Sequence, residues 1–305
     1  MWPRDDDPAH GVFVRDQVEA LRSIGHPVDV HVIEGGQGPA RYPKSLPLLR
    51  RRLAHGDFDV VHTHHALSGL AFWLAAAPGR RPPWLLTHHG IEVFQGWQAP
   101  LAAWLTARAD KTIVVSPAMA EQLGLGAAEV LPMGVDLAKF VPEEKGTARA
   151  RLGLPQDGPV VAWVGTDRPE KRLTLAHAAV SVLRRDVPGA RLMVVQGRDH
   201  DEVPSWLCAA DVLLLTSTCE GAPVVVKEAL ACDRPVVSTD VGDVRGILSQ
   251  IPGCFVSPAT PNALADSLGA ALEHGPVDGR RIMQDYDVRR VASRLADTYR
   301  ELASG

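Results

Sequence analysis

The sequence predicts two doubly wound α/β domains facing a central cleft, and three observations predict it. Short apolar runs of strand length alternate with helix-period segments twice over, without any sequence repeat. The residues best suited to chemistry, among them His64, His89, Lys171 and Glu220, each follow such a run, and doubly wound sheets bind ligands outside the carboxyl ends of their strands. Finally, 305 residues suffice for two medium domains, and a chain of that size hides about three quarters of its unfolded surface.

Composition narrows the class. With 46% hydrophobic and 22% charged residues the chain reads as a soluble globular protein, and a net charge of −4 argues against general nucleic-acid binding. No apolar run approaches the length of a membrane span, and Met1–Asp7 does not read as a signal peptide. Cys208, Cys219, Cys232 and Cys254 lack paired zinc spacing and read as reduced thiols of a cytoplasmic protein.

Taken in order, Gly11 precedes a helical stripe at Val14, Val18 and Leu21, and Val28–Ile33 reads as a strand. Arg41–Arg52 reads as a basic amphipathic helix, with Lys44, Arg50, Arg51 and Arg52 among leucines. Such a helix suits either a solvated face or an anionic lipid surface, each Lys or Arg adding about 1 kcal/mol near the lipid. Asp59–His65 and Trp84–Gly90 are strands opening into histidines; without accompanying cysteines or carboxylates at a ligand spacing, these read as crevice-lining rather than metal-binding. Trp97, Leu101, Trp104 and Leu105 form an apolar stripe that suits core packing before a lipid-binding groove. Strands at Lys111–Val115 and Glu129–Leu131 flank a helix begun at Ser116-Pro117, and the charged run Pro142–Ala148 reads as a linker.

The second half opens with strand Val160–Val164 and a loop carrying Gly165, Arg168 and Lys171 before the helix Leu173–Arg185, a combination suited to a diphosphate. After strand Arg191–Val195 and helix Val203–Ala209 comes the stretch that organises the rest. Val212–Leu215 reads as a buried strand ending near Glu220, Gly221 permits a turn, and Pro223 suits the first position of a helix to about Ala231. The N–H groups of Ala222, Val224 and Val225 stand near its positive end, where an anion is welcome, and Glu228 lies between one and two turns in. Strand Cys254–Val256 and helices Pro261–Leu272 and Asp287–Leu302 complete the chain.

Two glutamates separated by seven residues, then a small-residue helix and the proline-led strand Arg234–Val237, resemble the signature of the retaining glycosyltransferases of family 4. That resemblance implies the two-Rossmann GT-B arrangement, with residues 1–143 as acceptor domain, 144–286 as donor domain and 287–305 crossing back as a helix. It implies hexosyl transfer from a nucleoside-diphosphate sugar to a hydroxyl of a sugar or lipid-linked acceptor, with no cofactor and no metal. Glu228 then holds the ribose hydroxyls and Glu220 those of the sugar; Lys171 matches the family lysine, and Arg168 stands in for an arginine replaced by Thr166. His89 matches the histidine of a Thr-x-His-Gly run, His64 the second histidine of a Val-His-x-His run, and Gly11 the glycine loop facing the transfer site. Met133 replaces Asn in a Pro-Asn-Gly-Val-Asp turn, and the buried strand that precedes the glycine loop in relatives has no counterpart after Met1. Two alternatives share the fold: a catalytically silent binding partner, and a nonhydrolysing sugar-nucleotide epimerase.

Overall fold

The computed structural model describes residues 2–3, 11–33, 41–76, 81–90, 92–94, 96–126 and 129–305; the acidic run 5–7 lies outside these. The first half contains α1 (Val12–Ser23), α2 (Arg41–His55), β1 (Val61–His64), α3 (Ala66–Ala75), β2 (Trp84–His88), α4 (Gln98–Thr106), β3 (Lys111–Val114) and α5 (Pro117–Leu123). The second contains α6 (Lys145–Arg151), β4 (Val160–Val164), α7 (Leu173–Leu183), β5 (Arg191–Val195), α8 (Val203–Ala209), β6 (Val212–Leu215) and α9 (Val224–Ala231). It continues through β7 (Val236–Ser238), α10 (Val244–Leu248), β8 (Phe255–Val256), α11 (Pro261–His274), α12 (Gly279–Met283) and α13 (Val288–Ser304).

Among the described residues all strand pairs are parallel, and they form two separate sheets, β1-β2-β3 and β5-β4-β6-β7-β8. Parallel strands are covered on both faces, which explains why Val160–Trp163, Val212–Leu215 and Trp84–His88 are buried without alternation. In the second sheet the chain runs outward from β4 to β5, then returns to β6 on the other side of β4. The loops after β4 and β6 therefore leave the sheet at its topological switch point, the place where such sheets hold ligands.

The last helix belongs to the first sheet. Val291, Ala292, Leu295 and Ala296 lie on one face of α13 and pack in one cluster with Ala20, Leu21, Leu85 and Ile113. The chain thus crosses between the halves twice, and the two crossings touch: Val135 N–H donates to Tyr286 C=O at 2.9 Å and Val288 N–H to Val135 C=O at 3.0 Å. A Cβ on Gly134 would lie 2.6 Å from the Val288 Cα, so the crossing tolerates no side chain there.

Three expectations are corrected. Val28–Ile33 forms no strand; it shares with β1, α1 and α13 the lining of a cavity of about 1310 Å³. A strand needs a hydrogen-bonding neighbour about 4.8 Å away, and among the described residues none pairs with this segment. Glu129–Leu131 contributes a single bridge, Val114 to Val130. Pro142–Ala148 is not a linker, since α6 begins within it: Glu144 caps Thr147 N–H at 2.6 Å, and buried Arg149 meets Asp211 at 2.6 Å. Capping and burial fasten that segment to the second half. A smaller difference concerns Pro223, which is the N-cap of α9 rather than its first helical residue.

Candidate active site

The second half brings Glu220 and Lys171 together. Thr216 Oγ1 donates to Lys171 C=O at 2.7 Å, and Arg172, in the left-handed region at φ 50°, donates to Thr216 C=O and Ser217 C=O at 2.6 and 2.9 Å. These bonds staple the loop after β4 to the end of β6. Lys171 Nζ then lies 2.5 Å from Glu220 Oε1, which also accepts from Ser217 Oγ at 2.7 Å. Gly165 ends β4 with φ 150°, backbone that favours glycine.

Gly221 is where the halves meet. A Cβ there would lie 1.8 Å from His89 O and 3.1 Å from Gly90 Cα, while one on Gly242 would lie 2.5 Å from Gly221 O. Backbone encloses the turn from both sides. Beside it, Ala222 and the half-buried Val224 join the apolar cluster of the first half, whereas Val225 packs into the second. The start of α9 carries no side-chain cap, which leaves its first N–H groups at the positive helix end without a side-chain acceptor.

Glu228, buried on α9, meets His200 Nε2 at 2.7 Å. His200 follows β5 and Lys171 follows β4, so both glutamates engage loops on the same carboxyl edge of one sheet. Arg168 is not gathered with them; it is exposed and lines a cavity of about 300 Å³ with Asp167, Arg172 and Thr174.

In the first half His64 Nδ1 and His89 Nε2 are 2.8 Å apart, so one ring donates and the other accepts. The His62 ring is tilted against that of His64 with ring centres 4.1 Å apart, and it bonds Tyr299 and Thr87, each at 2.7 Å. Burial pushes His62 down to about 3, and burial followed by the neighbouring histidines holds His64 and His89 well below the ordinary imidazole range. These rings are neutral at pH 7. The His89 backbone N–H donates to Glu92 Oε1 at 2.9 Å, while its buried ring Nδ1 has no partner among the described residues. Phe13 of α1 touches the His89 ring at 5.0 Å, which sets the left-handed Gly11 turn (φ 69°) at the start of α1 near the histidines.

Sequence reasoning missed Ser217, Glu92, Lys139 and His200. Ser217 and Glu92 each stand three residues from a predicted site residue, a spacing that could have flagged them. Lys139 and His200 come together from 61 positions apart, and nothing local marks them. Among the described residues no group of three or more His, Cys, Asp or Glu is arranged to hold a metal ion, all four cysteines are free thiols, and no helix is long and apolar enough to cross a membrane.

Residues 7–139 match the model of the family described as Glycosyltransferase Family 4, and residues 161–274 that of Glycosyl transferases group 1. A putative teichuronic acid biosynthesis glycosyltransferase, TuaC of Bacillus subtilis, is 28% identical, with 88% of this chain and 86% of that protein covered. A D-inositol 3-phosphate glycosyltransferase of Xylanimonas cellulosilytica is 30% identical over 75% of this chain, which spans 66% of that relative's length. Among solved structures, sucrose-phosphate synthase from Thermosynechococcus elongatus superposes with a TM-score of 0.77 at 22% identity, covering 96% of this chain and 93% of that one. Anabaena HepE in complex with UDP and glucose superposes with a TM-score of 0.70 at 16% identity, covering 98% of each chain.

Proposed function

The chain belongs to the family 4 type of glycosyltransferases, and from that premise we propose that it transfers a hexosyl group from a nucleoside-diphosphate sugar to a hydroxyl, with retention at the anomeric carbon, in glycan or polysaccharide synthesis. The observation that carries this reading is the gathering of Glu220 with Lys171, and of Glu228 with His200, on one carboxyl edge facing His89. Two acids on that edge suit the two hydroxyl-bearing ends of such a donor. Glu228 accepts hydrogen bonds from the ribose and Glu220 from the transferred sugar. The diphosphate between them lies against Lys171 and the uncapped N–H groups of Val224 and Val225. Arg168, exposed at the loop tip, is free to swing in as a second cation.

In the transfer step the bond from the anomeric carbon to the phosphate oxygen breaks as the acceptor oxygen bonds that carbon on the same face. The acceptor's proton passes to the leaving phosphate. Charge left on the diphosphate is met by donors already in place, and positive charge on the sugar ring by the His89 carbonyl or side chain. Residues 1–143 form the acceptor side in this reading, 144–286 the donor side, and 287–305 the helix that returns. Family membership supports retention, and the UDP and glucose bound by a structural neighbour support the donor class.

Glu228→Ala is expected to weaken donor binding by roughly 1.5–3 kcal/mol for each hydrogen bond lost to its charge. Calorimetry with UDP-, GDP- and ADP-sugars, followed by mass spectrometry of acceptor products, measures it; unchanged affinity in the variant overturns the assignment. The reading includes docking of α2 on anionic lipid, supported by exposed Leu48 and basic Lys44 and Arg51, whereas Arg50 donates to Leu74 C=O at 3.1 Å and Arg52 is engaged by Asp29. Flotation with phosphatidylserine vesicles at low salt checks this, and protein left at the bottom of the gradient removes it.

A further inference from the structure

His200 stands where three parts of the chain converge. It follows β5, its ring touches Phe140 with centres 5.5 Å apart, and its Nδ1 lies 4.0 Å from Asp16 Oδ2 on α1. Lys139 Nζ sits 2.8 Å from the same Nδ1 and 2.6 Å from Asp201 Oδ1. An ammonium group has hydrogens to give and no lone pair, so Nδ1 must accept. The ring hydrogen is thereby placed on Nε2, which faces Glu228 Oε1 at 2.7 Å. The tautomer of His200 is set by Lys139, and the direction of its hydrogen bond follows from the tautomer.

Packing confines the buried Glu228 side chain, but a hydrogen-bond partner is what fixes how its carboxylate is turned. Its Oε1 is held by His200, while among the described residues Oε2 takes no hydrogen bond. A carboxylate has about four acceptor sites, so holding one leaves enough for two neighbouring hydroxyls. We propose that His200 is a positioning residue, fixing the Glu228 carboxylate in the one orientation that accepts both ribose hydroxyls of the donor. This rests on the reading of Glu228 given above. Order matters here because a bidentate contact gains from a carboxylate already aimed, and every rotor frozen on binding subtracts from affinity.

The test compares the full chain with H200A, H200Q and E228A by calorimetry. The probes are UDP, GDP and ADP, and then the 2′,3′-dideoxy form of whichever binds most tightly. H200A is expected to lower affinity for the ribonucleotide about tenfold while leaving the 2′,3′-dideoxy form within about twofold. H200Q, whose amide N–H reaches a similar point, is expected to recover most of the loss. An equal fall for both nucleotides, or no fall for either, overturns the positioning role, as does failure of H200Q to recover ribonucleotide binding. If E228A itself retains the preference for the ribonucleotide, the assignment of Glu228 fails and this inference with it. If E228A abolishes the preference and H200A preserves it, the role of His200 alone fails.

Discussion

The two halves carry the same kind of sheet built to different depths. The second has five strands with apolar clusters on both faces, and β6, which leads to Glu220, lies in its middle. Among the described residues the first has three, with β1 at the edge beside a large cavity. Val61 N–H donates to Pro83 C=O and His65 N–H to Thr87 C=O, so in a parallel ladder the polar backbone of His62 and His64 turns the other way, toward that cavity. Their buried ionisable groups differ too. The second half encloses Lys227, fully buried, against Asp243 at 2.6 Å, whereas the first encloses neutral histidines. One half pairs a buried lysine, the other keeps its buried histidines neutral, and each strategy fails under a different insult.

The sharpest way to break this comparison is to leave the lysine alone. Asp243→Ala strands a buried cation and is expected to cost about 3–5 kcal/mol, read from urea denaturation, whereas replacing both residues by apolar ones of similar volume costs far less. A loss under about 1 kcal/mol in the single variant would show that water reaches Lys227.

Acid is the corresponding insult to the first half. His62 binds its proton near pH 3 when folded and near 6.5 when unfolded, so its contribution is complete above pH 6.5 and is lost as pH falls toward 3. The loss is about 1.4 kcal/mol per pH unit below 6.5, and His64 and His89 lose theirs in the same direction. Hydrogen exchange by mass spectrometry between pH 7 and 4.5 should therefore show β1 and β2 opening before β4 and β6. Simultaneous opening would mean the halves fold as one unit.

The smallest predicted effect concerns the join. Gly221→Ala puts a methyl against His89 O and is expected to reduce transfer about tenfold, roughly 1.4 kcal/mol in barrier, with nucleotide affinity nearly unchanged. Equal losses in both would place the defect inside the donor half.

Much of this was legible because it is local. Strands such as Val160–Val164 and Val212–Leu215 are announced by apolar runs, and Glu220 and Glu228 by a spacing that a single strand-turn-helix fixes. Val28–Ile33 misled because an apolar run states a preference for pairing but cannot supply the neighbour. Pro142–Ala148 misled because charge suggested exposure, while Glu144 was spent on a cap and Arg149 further along α6 on Asp211. The partners of Glu228 and Lys227 were illegible in a stronger sense. Asp243 and His200 reach them from other loops, and only the closed fold brings them near.

The double crossing at Val135 and Val288 has a mechanical consequence. A single connecting strand would let the halves tumble; two strands clasped by backbone hydrogen bonds behave like paired pins in a door, permitting swing about one axis and resisting torsion and sliding. Whatever opens His89 away from Gly221 must therefore travel along one arc, and return along it. Any larger residue at position 134 would pry the pins apart and loosen that arc.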